Sequence, residues 1–154
     1  MFKKILIANR GEIAVRIIRA CKDWGILTVA VHSDVDRNSM HVRMADESVC
    51  IGSHQPANSY LNVPALMSAI ELTNTDAVHP GYGFLSENAQ FAKVLENNNI
   101  KFIGPSSKLI KMMGDKIQAK KIAKEHGLPV IEGSEGGVKD IKQAKDLCKK
   151  IGFP

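Results

Sequence analysis

Short apolar runs alternate with stretches of helical periodicity through the first two thirds of the chain. Lys4-Ile-Leu-Ile-Ala8 and Ile26-Leu-Thr-Val-Ala-Val31 are apolar almost throughout. Such runs suit strands of a parallel sheet, which are buried on both faces. Glu47–Ile51, Asp76–Val78 and Ile100–Ile103 read as three shorter strands. Between the first two lies a helix. Asn9-Arg-Gly-Glu12 has the spacing of a capping box, with Asn9 as cap and Glu12 reaching back. Ile13, Ile17, Ala20 and Trp24 fall on one face, and Gly25 ends the helix. Further helices are predicted near Ser39–Ala45, over Asn62–Leu72 with Pro64 in its first turn, and over Asn88–Asn97. The β-α-β-α order argues an α/β fold: a five-stranded parallel sheet with helices on both faces.

After the fifth strand the pattern changes. Gly104-Pro-Ser-Ser107 breaks the chain and caps a helix running to Met113. Gly114 stops it, and Asp115 caps the next helix, which runs to about His126. Gly127-Leu-Pro129 turns the chain, Val130–Gly137 reads as a strand end and loop, and Val138–Ile151 as an amphipathic helix. Gly152-Phe153-Pro154 has the character of a lead into another strand. We therefore expect one domain over 1–113 and, over 114–154, the opening of a second that continues beyond this chain.

Charge and composition narrow the class. Residues 1–100 carry nine Lys/Arg against ten Asp/Glu, whereas 101–154 carry twelve against six. These lysines lie along helical stretches without interleaved aromatics, which favours a solvated face over nucleic-acid binding. No apolar run approaches the ~18 residues of a membrane span, and the N-terminus lacks a signal or transit pattern. A cytoplasmic protein is expected. Cys21, Cys50 and Cys148 are far apart and form no CxxC pair, so each is expected to be a small buried hydrophobe. His41, His54 and His126 have no ligand-like spacing, and no metal site is expected. A Walker A pattern and a GxGxxG are both missing, which disfavours P-loop and dinucleotide enzymes.

The most informative segment is His79-Pro-Gly-Tyr-Gly-Phe-Leu-Ser-Glu87, directly after the fourth strand. Glycines lack a side chain and tolerate positive φ, so backbone there can approach a ligand closely. Tyr82 between them offers a flat apolar face with a polar tip. Loops at the carboxyl ends of strands are where open α/β sheets bind ligands. His79 reads as a structural histidine. Arg10, after the first strand, reads first as an ion-pair partner of a carboxylate such as Glu12, and second as an anion ligand.

Six stretches together resemble biotin carboxylase: Ile7-Ala-Asn-Arg-Gly-Glu-Ile-Ala14, Ala45-Asp-Glu47 with Ile51-Gly52, Ser59-Tyr-Leu-Asn62, His79 to Asn88, Phe102-Ile-Gly-Pro105 and Met113-Gly-Asp-Lys116. They occur in that enzyme's order and cover the chain. The likeness is greatest to the biotin carboxylase subunit of bacterial acetyl-CoA carboxylase. The corresponding domains of pyruvate and propionyl-CoA carboxylases are near relatives.

The resemblance implies a Rossmann-like (pre-ATP-grasp) first domain and the start of an ATP-grasp domain. It implies a ligase that uses ATP, Mg²⁺ and bicarbonate to form carboxyphosphate and carboxylates biotin on a carrier protein. This is the first half-reaction of acetyl-CoA carboxylase in fatty-acid synthesis. The family's glycine-rich lid, Mg²⁺ ligands and catalytic base are expected beyond Pro154, leaving no catalytic residue within this chain, which by itself is expected to be inactive. Lys116 would contact ATP, and Tyr82, Gly83 and Glu87 would form the biotin pocket. Arg16, Arg19 and Asp23, on the outer face of the first helix, would lie at a homodimer interface; Asp23 stands where the family usually has Glu. Implied partners are a second copy, the biotin carboxyl carrier protein and carboxyltransferase subunits. Alternatives are a non-catalytic dimerisation module or another ATP-grasp ligase, such as carbamoyl phosphate synthetase or a purine-pathway carboxylating enzyme. Asn9-Arg-Gly-Glu12 together with Gly81–Glu87 argues against the last.

Overall fold

A computed structural model describes residues 1–131 and 138–152. The strands are β1 (Lys4–Ile7), β2 (Leu27–Ser33), β3 (Glu47–Gly52), β4 (Ala77–His79) and β5 (Lys101–Phe102). They form one sheet in the order β3-β2-β1-β4-β5, with every neighbouring pair parallel. The helices are α1 (Gly11–Asp23), α2 (Met40–Met44), α3 (Val63–Thr73), α4 (Ala89–Asn97), α5 (Ser107–Gly114), α6 (Lys116–Glu125) and α7 (Ile141–Ile151). A 3-10 turn spans Pro56–Asn58.

After Lys4, β1 is apolar at each position because successive residues of a strand point to opposite faces and both faces of this one are covered. Ile5 and Ile7 join Ala14, Ile17, Ile18 and Cys21 of α1 in one core layer. Leu6 points the other way, into a larger layer with Val29, Val31, Val78, Leu66 and Ile70 of α3, and Phe91 and Leu95 of α4. Each fully buried Val, Leu, Ile or Phe side chain among these contributes about 1.5–3 kcal/mol.

Several sequence expectations are corrected. The capping box at α1 does not form. Arg10 holds the cap position, without a side-chain cap, and Asn9 is buried with its side chain committed elsewhere. The buried face of α1 is Ala14, Val15, Ile17, Ile18 and Cys21, while Trp24 is 73% exposed and Ala20 faces solvent. Trp24 falls off the face because α1 ends at Asp23, with the turn completed by Gly25 at φ +70°. β2 runs on through His32 and Ser33, past the apolar run that ends at Val31. Their polar groups are satisfied there: His32 Nδ1 bonds the Ser33 carbonyl and the Ser33 amide donates to the Tyr60 hydroxyl. Only Cys21 is buried; Cys50 and Cys148 are exposed.

The chain divides into two compact units, Met1–Ile110 and Lys111–Pro154. In the second, Asp115 caps α6 by accepting from the amides of Ile117 and Gln118, and Asp140 caps α7 by accepting from Gln143. That cap starts α7 at Ile141, later than its apolar pattern suggested. Neither α6 nor α7 has a buried residue. Val130 and Ile131 form no strand, and 132–137, with the remainder of that expected strand and loop, lies outside the described residues.

Candidate functional site

The sheet changes direction at β1. From β1 the chain passes through α1 to β2 on one side, whereas β4, on β1's other side, leads through α4 to β5. The loops leaving β1 and β4 therefore emerge at the point where the strand order reverses, the usual ligand position in such sheets. There Asn9 works as a staple. Its Nδ2 donates to the carbonyls of Pro80 at 2.8 Å and Tyr82 at 2.7 Å, and its Oδ1 accepts from the Arg10 amide. One side chain thus fixes both loop backbones. Gly81 must be glycine: at φ +65°, a Cβ there would come within 2.8 Å of Asn9 Nδ2. His79 Nδ1 accepts from the Gly81 amide at 3.0 Å. Burial pushes this imidazole below its ordinary pKa, consistent with a neutral ring protonated on Nε2.

Beyond the staple the loop presents Tyr82, a residue 64% exposed, and Gly83 at φ +67° with open space where a side chain would lie. The chain then turns back through a Ser86 amide bond to the Gly83 carbonyl and an Asn88 amide bond to Leu85. Glu87 is exposed at the end of this turn, and Asn88 caps α4 by accepting from the Phe91 amide.

A second cluster borders the loop. Asp36 Oδ2 accepts from the Tyr60 hydroxyl at 2.7 Å, Ser33 Oγ at 2.9 Å and Arg10 Nη1 at 3.2 Å. Burial pushes this carboxyl up, but the three donors outweigh it and hold it below its ordinary range. Burial and the bond to Asp36 raise the Tyr60 phenol well above its ordinary value. The Tyr60 and Phe84 rings stack at 5.0 Å, and the Arg10 guanidinium lies 5.3 Å and 5.7 Å from their centroids. Arg10 is therefore paired with Asp36 rather than Glu12. His41 is buried, its Nδ1 without a hydrogen-bond partner among the described residues and its pKa lowered by burial.

Of the residues singled out in the sequence, the fold brings Tyr82, Gly83 and Glu87 onto one loop at the carboxyl edge. Arg16, Arg19 and Asp23 are exposed on α1. Lys116 is the first residue of α6, in the second unit, and is exposed. Sequence reasoning missed Asn9 as a staple, and it missed Asp36 and Tyr60. Asn9 mimics a helix cap, and the Tyr60–Asp36 contact spans 24 residues that no local period connects.

The family model described as biotin carboxylase, N-terminal domain, matches residues 1–110. This chain belongs to the biotin carboxylase N-terminal domain family. It is 55% identical over its whole length to the biotin carboxylase of Haemophilus influenzae and covers 35% of that protein. The mitochondrial propionyl-CoA carboxylase alpha chain of Homo sapiens is 54% identical over 99% of this chain, which spans 21% of it. Among solved structures, a biotin carboxylase–β,γ-ATP complex from Campylobacter jejuni superposes with a TM-score of 0.94 at 46% identity. The biotin carboxylase domain dimer of Hydrogenobacter thermophilus 2-oxoglutarate carboxylase, solved with MgADP, ADP and bicarbonate, gives 0.92 at 48%. Both matches cover all of this chain and 34% of the solved one. The chain thus spans about a third of the length of its biotin carboxylase relatives, in their N-terminal part.

Proposed function

We propose that this chain forms the N-terminal part of a cytoplasmic, homodimeric biotin carboxylase that uses ATP and bicarbonate to carboxylate carrier-borne biotin through carboxyphosphate. The observation that carries the reading is the Gly81-Tyr82-Gly83 loop, stapled by Asn9 at the sheet's switch point in a member of this family. In this reading the exposed Tyr82 ring lies against the fused rings of biotin and keeps water from that face. The open backbone at Gly83 lets the ligand approach its N–H, and Glu87 orients polar groups at the same pocket. Lys116 contacts ATP. A lysine at a helix N-terminus opposes the dipole, a conflict that a bound phosphate removes. Arg16, Arg19 and Asp23 contribute to the contact with a second copy.

Mg²⁺ assists the phosphoryl step in this chemistry. The described residues gather no group of three His, Cys, Asp or Glu that fits a metal ion, so the reading assigns its ligands to another part of the enzyme. The same assignment gives the catalytic base to that part, and the chain alone should not hydrolyse ATP in response to bicarbonate. Carrier protein and carboxyltransferase complete the proposed assembly, with acetyl-CoA as acceptor in fatty-acid synthesis. The human relative's near-equal identity favours a second reading, in which the acceptor is propionyl-CoA or, as in related enzymes, pyruvate. The test is a complete carboxylase containing this chain, assayed for ADP release that requires both bicarbonate and biotin. Dependence on both supports the reading; ATP hydrolysis indifferent to either overturns it. Comparing acetyl-CoA with propionyl-CoA and pyruvate as acceptors in the assembled complex then separates the two readings.

A further inference from the structure

Tyr82 is exposed and, among the described residues, makes no aromatic pair of its own, yet it sits between two anchors. On one side Asn9 holds its carbonyl. On the other, two residues on, Phe84 adopts φ +38°, a left-handed conformation that costs a non-glycine residue energy and persists only where its surroundings enforce it. The Phe84 ring stacks on Tyr60, with the Arg10 guanidinium close to both rings. That stack is itself fixed from four chain segments. Arg10 follows β1, Ser33 and Asp36 close β2, Tyr60 precedes α3, and Phe84 follows β4. Asp36 receives a donor from three of these residues on one oxygen, and Tyr60 in turn accepts from the backbone of β2. A cluster that joins four loops at the carboxyl edge, with its arginine spent on an internal carboxylate, is built to hold something still.

We propose that Phe84, clamped by Tyr60, Arg10 and Asp36, is a positioning residue that fixes Tyr82 and Gly83 in their ligand-presenting geometry. The proposal rests on the reading of that loop as the biotin site and deepens it. It assigns Arg10 and Asp36 to loop positioning rather than to contact with an anionic substrate.

The first test needs no ligand. In the 154-residue chain, Phe84→Leu keeps an apolar side chain but removes the ring. Asp36→Asn keeps shape and removes the charge, and serves where the first variant folds poorly. Hydrogen exchange is followed at the Asn9 side-chain amide and the amides of Gly81, Ser86 and Asn88, against Leu6 and Val29 in the sheet. The loop set should exchange faster by about 2- to 10-fold, the worth of one aromatic pair, with the sheet set unchanged. Unchanged loop exchange overturns the proposal, and so does an equal rise in loop and sheet, which would make the ring ordinary core.

The second test uses a complete carboxylase containing this chain. Phe84→Leu should raise KM for free biotin by a similar factor, with KM for ATP within about twofold of wild type, and Phe84→Tyr, which retains the ring, should restore it. Tyr82→Ala is the reference. If Tyr82→Ala raises KM for biotin and Phe84→Leu does not, the positioning proposal fails while the biotin reading stands. If Tyr82→Ala leaves it unmoved, the reading itself fails.

Discussion

Gly81 shows how tightly the site is specified residue by residue. Its amide is held by His79, its φ is positive, and the volume of a Cβ is already taken by Asn9. Gly81→Ala should therefore destabilise the chain by about 1–3 kcal/mol, the cost of an L-residue in such a conformation. A fall in the urea midpoint at constant slope would show it; an unchanged midpoint would mean that the loop relaxes freely. Lys116 presents the opposite case, an exposed side chain with little to do in the folded chain alone. In the complete enzyme, Lys116→Ala should remove one charge-assisted contact of about 1.5–3 kcal/mol and weaken ATP roughly 10- to 150-fold. ATP affinity within twofold of wild type would make it a surface lysine only.

At the scale of elements, carboxylates tie strand ends together. Asp76, before β4, accepts from the amides of Lys3 and Lys4 at the start of β1. Asp46, before β3, accepts from the amide and hydroxyl of Thr28 in β2. Asp36 gathers the carboxyl-edge loops. In each, burial raises the carboxyl but the hydrogen bonds prevail, leaving the folded pKa below the ordinary 3.8. Stability from such groups is full above the unfolded value and is lost as pH falls through the folded one. His41 and His79 add to the same trend earlier. Burial lowers both from 6.5, so on acidification the unfolded chain takes up their protons first. The thermal midpoint should begin to decline below about pH 6.5 and fall more steeply below about pH 4. A midpoint that rises on acidification would contradict these assignments.

The strands themselves were legible in sequence because burial on both faces leaves only Lys4, at its start, polar in β1 and few polar positions in β2. The caps at Asp115 and the stop at Gly25 were legible because they are local. Asn9 was misread because one residue type serves as helix cap and as tertiary staple, and only the approach of β4 decides between them. Trp24 was assigned to the core by a helical period that continued past the end of its helix. The Asp36–Tyr60–Phe84 cluster carried no local signal, since it exists only after β2 and β4 are assembled around β1.

Over the whole molecule, packing is concentrated in Met1–Ile110, which contains both core layers, whereas α6 and α7 contain no fully buried residue. Short helices draw their stability from packing rather than propensity. Amide exchange of the 154-residue chain should be slow at Ile5–Ala8 and Val29–Val31 and fast throughout Ile141–Ile151. Comparable protection in both would contradict the view that α7, which has no buried residue, is weakly held. The central claim, that the first unit exists to present Tyr82 and Gly83 to biotin, has a more direct test: steady-state kinetics of Tyr82→Ala in a complete carboxylase containing this chain. The account predicts that KM for free biotin rises roughly tenfold, the worth of one aromatic face, while KM for ATP stays within about twofold. A variant whose biotin and ATP constants shift together, or whose biotin constant does not move, would contradict it.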